Sequence, residues 1–205
     1  MFLVASVILW GVFFRRLPRA VRILGWYLTC NLLIQFLAQY LWSRSLNNLP
    51  LLHLNTFLEF AFFALFFREI YIGLLFFKKY TWLFIDAMTL FLLYNAAFWE
   101  PLDSLNSNAS GLVHLSLVFF VILYFFDAYG KVDLSERTAQ SISFICFAVM
   151  LSYAGGTFIF MFSQFITAET LKGYQLFWIV NGALSTFFQG IVLFSIVRIV
   201  FYMRK

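Results

Sequence analysis

Seven apolar runs, joined by connections of about fifteen residues or fewer, leave this 205-residue chain little choice of solvent. The runs fall at 2–14, 21–42, 51–67, 80–99, 112–126, 142–166 and 174–202. In lipid a backbone must satisfy its own N–H and C=O groups, which single segments do only as helices. Composition agrees with that reading: 63% of residues are hydrophobic and 11% charged, where a soluble domain has about 45–50% and about 25%. The expected fold class is all-α, a seven-helix transmembrane bundle forming one domain. The first run, Phe2 to Phe14, is short against the roughly 20 residues of a full crossing. It is expected as a short first helix with Arg15 and Arg16 snorkelling at its end. No charged region precedes it and no small-residue cleavage site follows, which argues against a signal peptide.

The formal net charge is +5, but the basic residues sit between the apolar runs. That placement describes membrane topology and not a nucleic-acid-binding face. Arg15, Arg16, Arg19, Arg22, Arg68, Lys78, Lys79, Lys131, Arg137, Arg198, Arg204 and Lys205 fall on one side, and Arg44 and Lys172 on the other. By the positive-inside rule this predicts an outside N-terminus and a cytoplasmic C-terminus, with an odd number of crossings. Trp26 and Trp82 fall near predicted cytoplasmic ends, and Trp42, Trp99 and Trp178 near outer ends, where amphipathic rings prefer to sit. The segment Arg68–Lys79, REIYIGLLFFKK, is apolar between charged ends. It is expected to lie in the interface as a half-buried turn or short helix. Cys30 and Cys146 lie within apolar runs and form no motif, so they carry no redox information.

The third run reads LLHLNTFLEFAFFALFF and contains His53, Asn55, Thr56 and Glu59. A carboxylic acid at the middle of an apolar span is costly and turns toward protein or water. This helix is therefore expected inside the bundle, with Asn47-Asn48-Leu49-Pro50 marking its start. Other runs carry matching polar stripes. Asn31, Gln35 and Gln39 are spaced by four, as are Asn181, Ser185 and Gln189; at that spacing three residues drift only about 80° around a helix. Asp86 and His114 complete the candidate set, and the sixth run adds Ser152, Tyr153, Thr157 and a Gly155-Gly156 pair. By depth, Glu59, Gln35 and Gln189 lie near the midplane, His53, His114, Gln39 and Asn181 nearer the outside, and Asp86 nearer the cytoplasm. These residues describe a polar cavity in the middle and outer half of the bundle.

Each has a structural alternative. Asn, Gln, Ser and Thr hydrogen-bond across membrane helices as ordinary glue. His53 can donate to a loop carbonyl, and Asp86 can pair with Lys78 or Lys79. Leu51-Leu52-His53-Leu54 and Leu112-Val113-His114-Leu115 match each other, which raises the possibility of a repeated hairpin.

His53, His114, Glu59 and Asp86 are the only plausible zinc ligands. The seventh run lacks the histidine pair of seven-span metal hydrolases, so no metal is expected. It also has no Lys for a retinal linkage, and no span carries the serial Arg of a voltage sensor. Hydrolase, Walker and dinucleotide-binding glycine motifs are absent, so no cofactor is expected, and binding is favoured over catalysis.

The motif Asn47-Asn48-Leu49-Pro50-Leu51-Leu52-His53-Leu54 with Thr56 and Leu58-Glu59-Phe60, the Asn31 span, and Phe177-Trp178-Ile179-Val180-Asn181 together resemble a group of uncharacterised small multi-span membrane proteins of Bacteroidota-type bacteria. That resemblance implies an inner-membrane location and brings no established activity. The function expected from the residues is a small-ligand sensor or signalling adaptor. Its ligand would occupy the cavity around His53, Asn55 and Glu59, lipid would surround it, and its basic cytoplasmic face would contact a protein partner. The alternatives are a small-solute or proton-coupled transporter using Glu59 and Asp86, and an intramembrane lipid-modifying enzyme. The enzyme reading requires His53 within about 3 Å of Glu59, directly or through one water.

Overall fold

The computed structural model describes residues 1–129, 136–162 and 171–202, with side chains at 171–174 left aside. It is helical throughout, without strands among the described residues. In chain order the helices are α1 (Phe2–Phe13), α2 (Arg19–Ser43), α3 (Leu49–Ile70), α4 (Leu75–Phe98), α5 (Ser107–Ala128), α6 (Arg137–Met161) and α7 (Leu171–Tyr202). A short 3-10 turn, Phe14–Arg16, follows α1. Residues 163–166 of the sixth expected span, and Lys131, Arg204 and Lys205 of the basic set, lie outside the described residues.

Six helices, α2 to α7, are long and apolar enough to cross a membrane. That is the pattern of a multi-pass membrane protein, with six full-length helices where the sequence predicted seven spans. The difference is α1. Its 12 residues make a rod of about 18 Å at 1.5 Å per residue, against a hydrocarbon core of about 30 Å. It runs alongside α2 and α7. At one end Trp10 Nε1 donates to the Arg22 carbonyl at 3.1 Å, and its indole occupies the space where a Cβ on Gly25 would stand 2.0 Å away. At the other end Phe2 lies over Gly190, 3.7 Å from where a Cβ would be. The described helix therefore lies along the Arg22 half of the bundle, with Phe2 at the level of Gly190.

Packing places α1, α2, α3, α5, α6 and α7 in a closed ring, in that order, with α4 outside against α3. Only 17% of α4 is buried, against 50% for α5 and 56% for α6. The centre of the ring at the Arg22 end is solid. Phe63, Phe66, Phe67, Val192 and Ile196 have no exposed surface, and Phe63 meets Tyr153 edge-on with ring centroids 5.5 Å apart.

The helix boundaries have local causes. Ser45, with φ of 56°, ends the α2 turn in the left-handed region. Asn47 Oδ1 then accepts the Leu49 N–H at 2.9 Å, and Pro50 follows in the first turn of α3. The turn-forming acceptor is thus Asn47, while Asn48 instead donates to the Ala38 carbonyl at 3.4 Å. The expected interfacial segment resolves differently: Arg68–Ile70 completes α3, Leu75 opens α4, and only the residues between them turn. Asp127 holds that turn, accepting the N–H of Ile72 at 2.6 Å and of Gly73 at 3.0 Å. Tyr71 Oη donates to the Phe120 carbonyl at 2.8 Å. With main-chain donors of Ile72 and Gly73 satisfied from α5, the connection folds sharply, as a turn and not as a short helix of its own.

Candidate functional site

Glu59 is buried at the centre of the ring, 6% exposed. Its Oε1 accepts from Tyr27 Oη of α2 at 2.9 Å and from Tyr153 Oη of α6 at 2.7 Å. Its Oε2 lies 3.3 Å from His114 Nε2 of α5. Four helices thus meet at one carboxyl group. Two other buried acids, Glu100 and Asp127, are held differently. Glu100 accepts from Asn95 Nδ2 and from the main-chain N–H of Asn108, both at 2.8 Å, and so caps the start of α5. Asp127 pins the α3–α4 turn. Both take main-chain donors, the usual structural use of a buried carboxylate. Every partner given above for Glu59 is a side chain.

A hydrogen-bonded chain leads outward from this cluster. Asn31 Nδ2 donates to Tyr27 Oη at 3.1 Å, and Gln35 Nε2 donates to Asn31 Oδ1 at 2.6 Å. A second group stands one helical turn from Glu59. Thr56 Oγ1 accepts from Asn106 Nδ2 at 2.7 Å and meets Ser110 Oγ at 3.1 Å. From α7, Gln189 Nε2 donates to Ser185 Oγ at 3.2 Å.

These groups line a cavity of about 570 Å³ enclosed by α2, α3, α5, α6 and α7. Trp42, Asn48 and Leu49 mark its far end, and Leu3, Leu28 and Phe188 lie at the level of Glu59. The volume lies within the roughly 300–1,000 Å³ of small-molecule sites.

Nine of the predicted residues converge here: Asn31, Gln35, Asn55, Thr56, Glu59, His114, Asn181, Ser185 and Gln189 all line the cavity. Three predicted residues stand elsewhere. His53 approaches the Ser104 carbonyl at 3.3 Å and anchors the α4–α5 connection; the histidine beside Glu59 is His114. Gln39 is exposed on α2, because the Asn31 stripe drifts around its helix and leaves the cavity by its last member. Asp86 is exposed on α4, since α4 packs outside the ring, and among the described residues it makes no ion pair with Lys78 or Lys79.

His114 is held closely. Its ring meets Tyr153 and Phe160 edge-on, with centroids 4.8 Å and 5.2 Å apart. A Cβ on Gly156 would stand 2.5 Å from Nδ1, so only glycine admits the ring. Nδ1 itself is buried without a hydrogen-bond partner among the described residues.

Sequence reasoning missed Tyr27, although a signal was present: Tyr27 lies four residues before Asn31 and extends the same stripe. Asn106 and Ser110 lay in what read as a connection, and were missed because α5 begins at Ser107, ahead of the apolar run. Among the described residues no three His, Cys, Asp or Glu side chains group as metal ligands.

The chemistry available is hydrogen bonding to amides and hydroxyls, focused on one carboxyl–imidazole pair. Compared with family models, with curated proteins and with solved structures, the chain finds no match.

Proposed function

We propose that this protein binds a small polar ligand within the membrane, as a sensor or signalling adaptor, and that Glu59 is the group the ligand engages. The observation that carries this reading is the polar cavity ending on a buried acid whose partners, among the described residues, are side chains. Structural acids in this chain secure backbone; Glu59 secures other functional groups. The solid aromatic and aliphatic packing beneath the cavity supports a binding pocket more than a conduit. In this reading the Arg22 end, rich in Lys and Arg, faces the cytoplasm, in a cell's inner membrane. The cavity then opens to the outside, and the basic face meets a protein partner.

Single-cysteine labelling tests this reading. With Cys30 replaced by Ser and Cys146 by Ala, Asn55→Cys in sealed vesicles should react with a membrane-impermeant thiol reagent from the outer face only. Reaction from both faces would favour the transporter, and no reaction from either would remove the pocket as a ligand site. In a purified-protein thermal-shift screen, polar ligands that raise Tm should do so in the wild type and lose the effect in Glu59→Gln.

A further inference from the structure

We infer that the outward face of α4 docks a transmembrane helix of another protein, one that carries a Lys or Arg at mid-span and meets Asp86 with it. The inference goes beyond the binding reading and makes no use of the cavity.

The face is defined by spacing and exposure. Lys79, Leu83, Asp86, Leu90, Leu93 and Ala97 are all exposed, and they follow one another at alternating steps of four and three. At 100° per residue they share an arc of about 80°. The buried Phe77, Thr81, Ile85 and Asn95 occupy the opposite side of the helix, where α4 packs on α3. Alternating steps of four and three describe the seam along which two helices interlock side chains. From Lys79 to Ala97 the seam runs about 27 Å at 1.5 Å per residue, close to the roughly 30 Å of a hydrocarbon core.

Asp86 is what makes this face more than lipid-facing surface. It is the twelfth of the 24 residues of α4, about 17 Å from Leu75, and its short side chain reaches neither interface. Among the described residues it makes no ion pair. Thr89, nearly one turn on, donates its hydroxyl to the Ile85 carbonyl at 2.7 Å and so does not serve the acid. A carboxyl group at that depth is costly against acyl chains and calls for a partner.

Charge chooses the partner. Among the described side chains, every Lys and Arg lies within five residues of a helix end or between helices, so a second copy of this chain has no cation to offer at mid-span. Two copies meeting symmetrically along α4 would set Asp86 against Asp86. A Lys or Arg at the middle of a different helix gives the acid a charge-assisted hydrogen bond and leaves no net charge in the hydrocarbon. Leu83, Leu90 and Leu93 supply the close van der Waals contact on which association of membrane helices depends.

Energy transfer in lipid vesicles tests the inference. The full chain carries a donor fluorophore at its C-terminus. The probes are acceptor-labelled synthetic helices of about 21 Leu and Ala residues, with Lys, Glu or Leu at the centre, a position that keeps its depth in either orientation. The Lys helix should bind the wild type about tenfold more tightly than the Leu helix, and the Glu helix no more tightly than the Leu helix. Asp86→Leu should abolish the advantage of the Lys helix, and Asp86→Lys should transfer it to the Glu helix. Where Asp86→Lys inserts poorly, Asp86→Leu carries the comparison. Disulfide formation locates the contact: with Cys30→Ser and Cys146→Ala, a cysteine-bearing Lys helix should crosslink to Leu90→Cys of α4 and not to Phe158→Cys of α6. Equal binding of the three helices, a Lys-helix advantage that survives Asp86→Leu, or crosslinking to both positions alike would overturn the proposal. So would energy transfer between two copies of the chain that Asp86→Leu removes, since that assigns the face to self-association. Labelling of Asn55→Cys, which decides the binding reading, leaves this proposal untouched.

Discussion

His114 Nε2 lies 3.3 Å from Glu59 Oε2, while Gly156 opposes the far side of the ring so closely that a methyl group would collide with Nδ1. The carboxyl–imidazole contact is therefore built by three helices: α3 supplies the acid, α5 the ring and α6 the space. Tyr153, one turn before Gly156 on α6, donates to the other carboxylate oxygen at 2.7 Å, so α6 both admits the histidine and shares its partner.

Replacement of Glu59 separates pairing from charge. Glu59→Gln keeps a carbonyl oxygen for the two tyrosines and turns its amide N–H toward His114 Nε2, which accepts it in the Nδ1–H tautomer, so the change should cost no more than about 1–2 kcal/mol. Glu59→Ala leaves Tyr27, Tyr153 and His114 without this acceptor and should cost about 3 kcal/mol or more, at about 1–3 kcal/mol for each of the three stranded buried groups. Thermal or denaturant unfolding in detergent checks both. Equal losses for the two variants would show that hydrogen-bond pairing is not what the site supplies to stability.

Gly156→Ala should displace the histidine ring. Overpacking of this kind costs about 1–3 kcal/mol, and the cost should largely vanish on a His114→Ala background. A double-mutant cycle measures it, with an expected coupling of about 1–2 kcal/mol between the two sites. A coupling near zero would mean that the glycine serves the helix contact and not the ring.

Asp127 accepts main-chain donors at Ile72 and Gly73, so Asp127→Ala should free the α3–α4 turn. Hydrogen exchange at residues 71–75 should rise, with a stability loss of about 1–3 kcal/mol for the stranded donors. Labelling of Asn55→Cys should stay unchanged, since the turn and the cavity occupy opposite ends of the bundle.

Asp86 is exposed on the helix outside the ring. Asp86→Leu should leave Asn55→Cys labelling and thermal stability intact and should ease insertion of α4. The helix starts at Leu75, ahead of the expected run at residue 80, so Asp86 stands at mid-helix and not toward the cytoplasmic end; at mid-helix an acid costs about 2.5–3.5 kcal/mol on insertion scales. Measured insertion efficiency and Tm check it; a lost cavity or a sharply lower Tm would assign Asp86 a place in the bundle's interior.

Much of this molecule was decided by composition and periodicity. Lipid leaves a main chain no alternative to the helix, so the apolar runs marked the helices directly. The cost of a mid-span acid set Glu59 inside the ring, and four-residue spacing kept Asn31 and Gln35, like Asn181, Ser185 and Gln189, on one face. The paired Leu-x-His-Leu motifs show where that logic stops. His53 is the fifth residue of α3 and His114 the eighth of α5, so the same four letters fall at different depths, one at a loop carbonyl and one at the carboxyl group.

Sequence by itself settled which faces are polar and which segments form helices. Tertiary structure alone decided that His114 and not His53 meets Glu59, that Tyr27 and Tyr153 share its oxygen, that α4 with Asp86 stands outside the ring, and that α1 packs between α2 and α7. The physical reason is geometric: a helical repeat specifies an angle about one axis, whereas contact between side chains also needs the relative height and neighbours of separate helices, which are set only when the whole bundle packs.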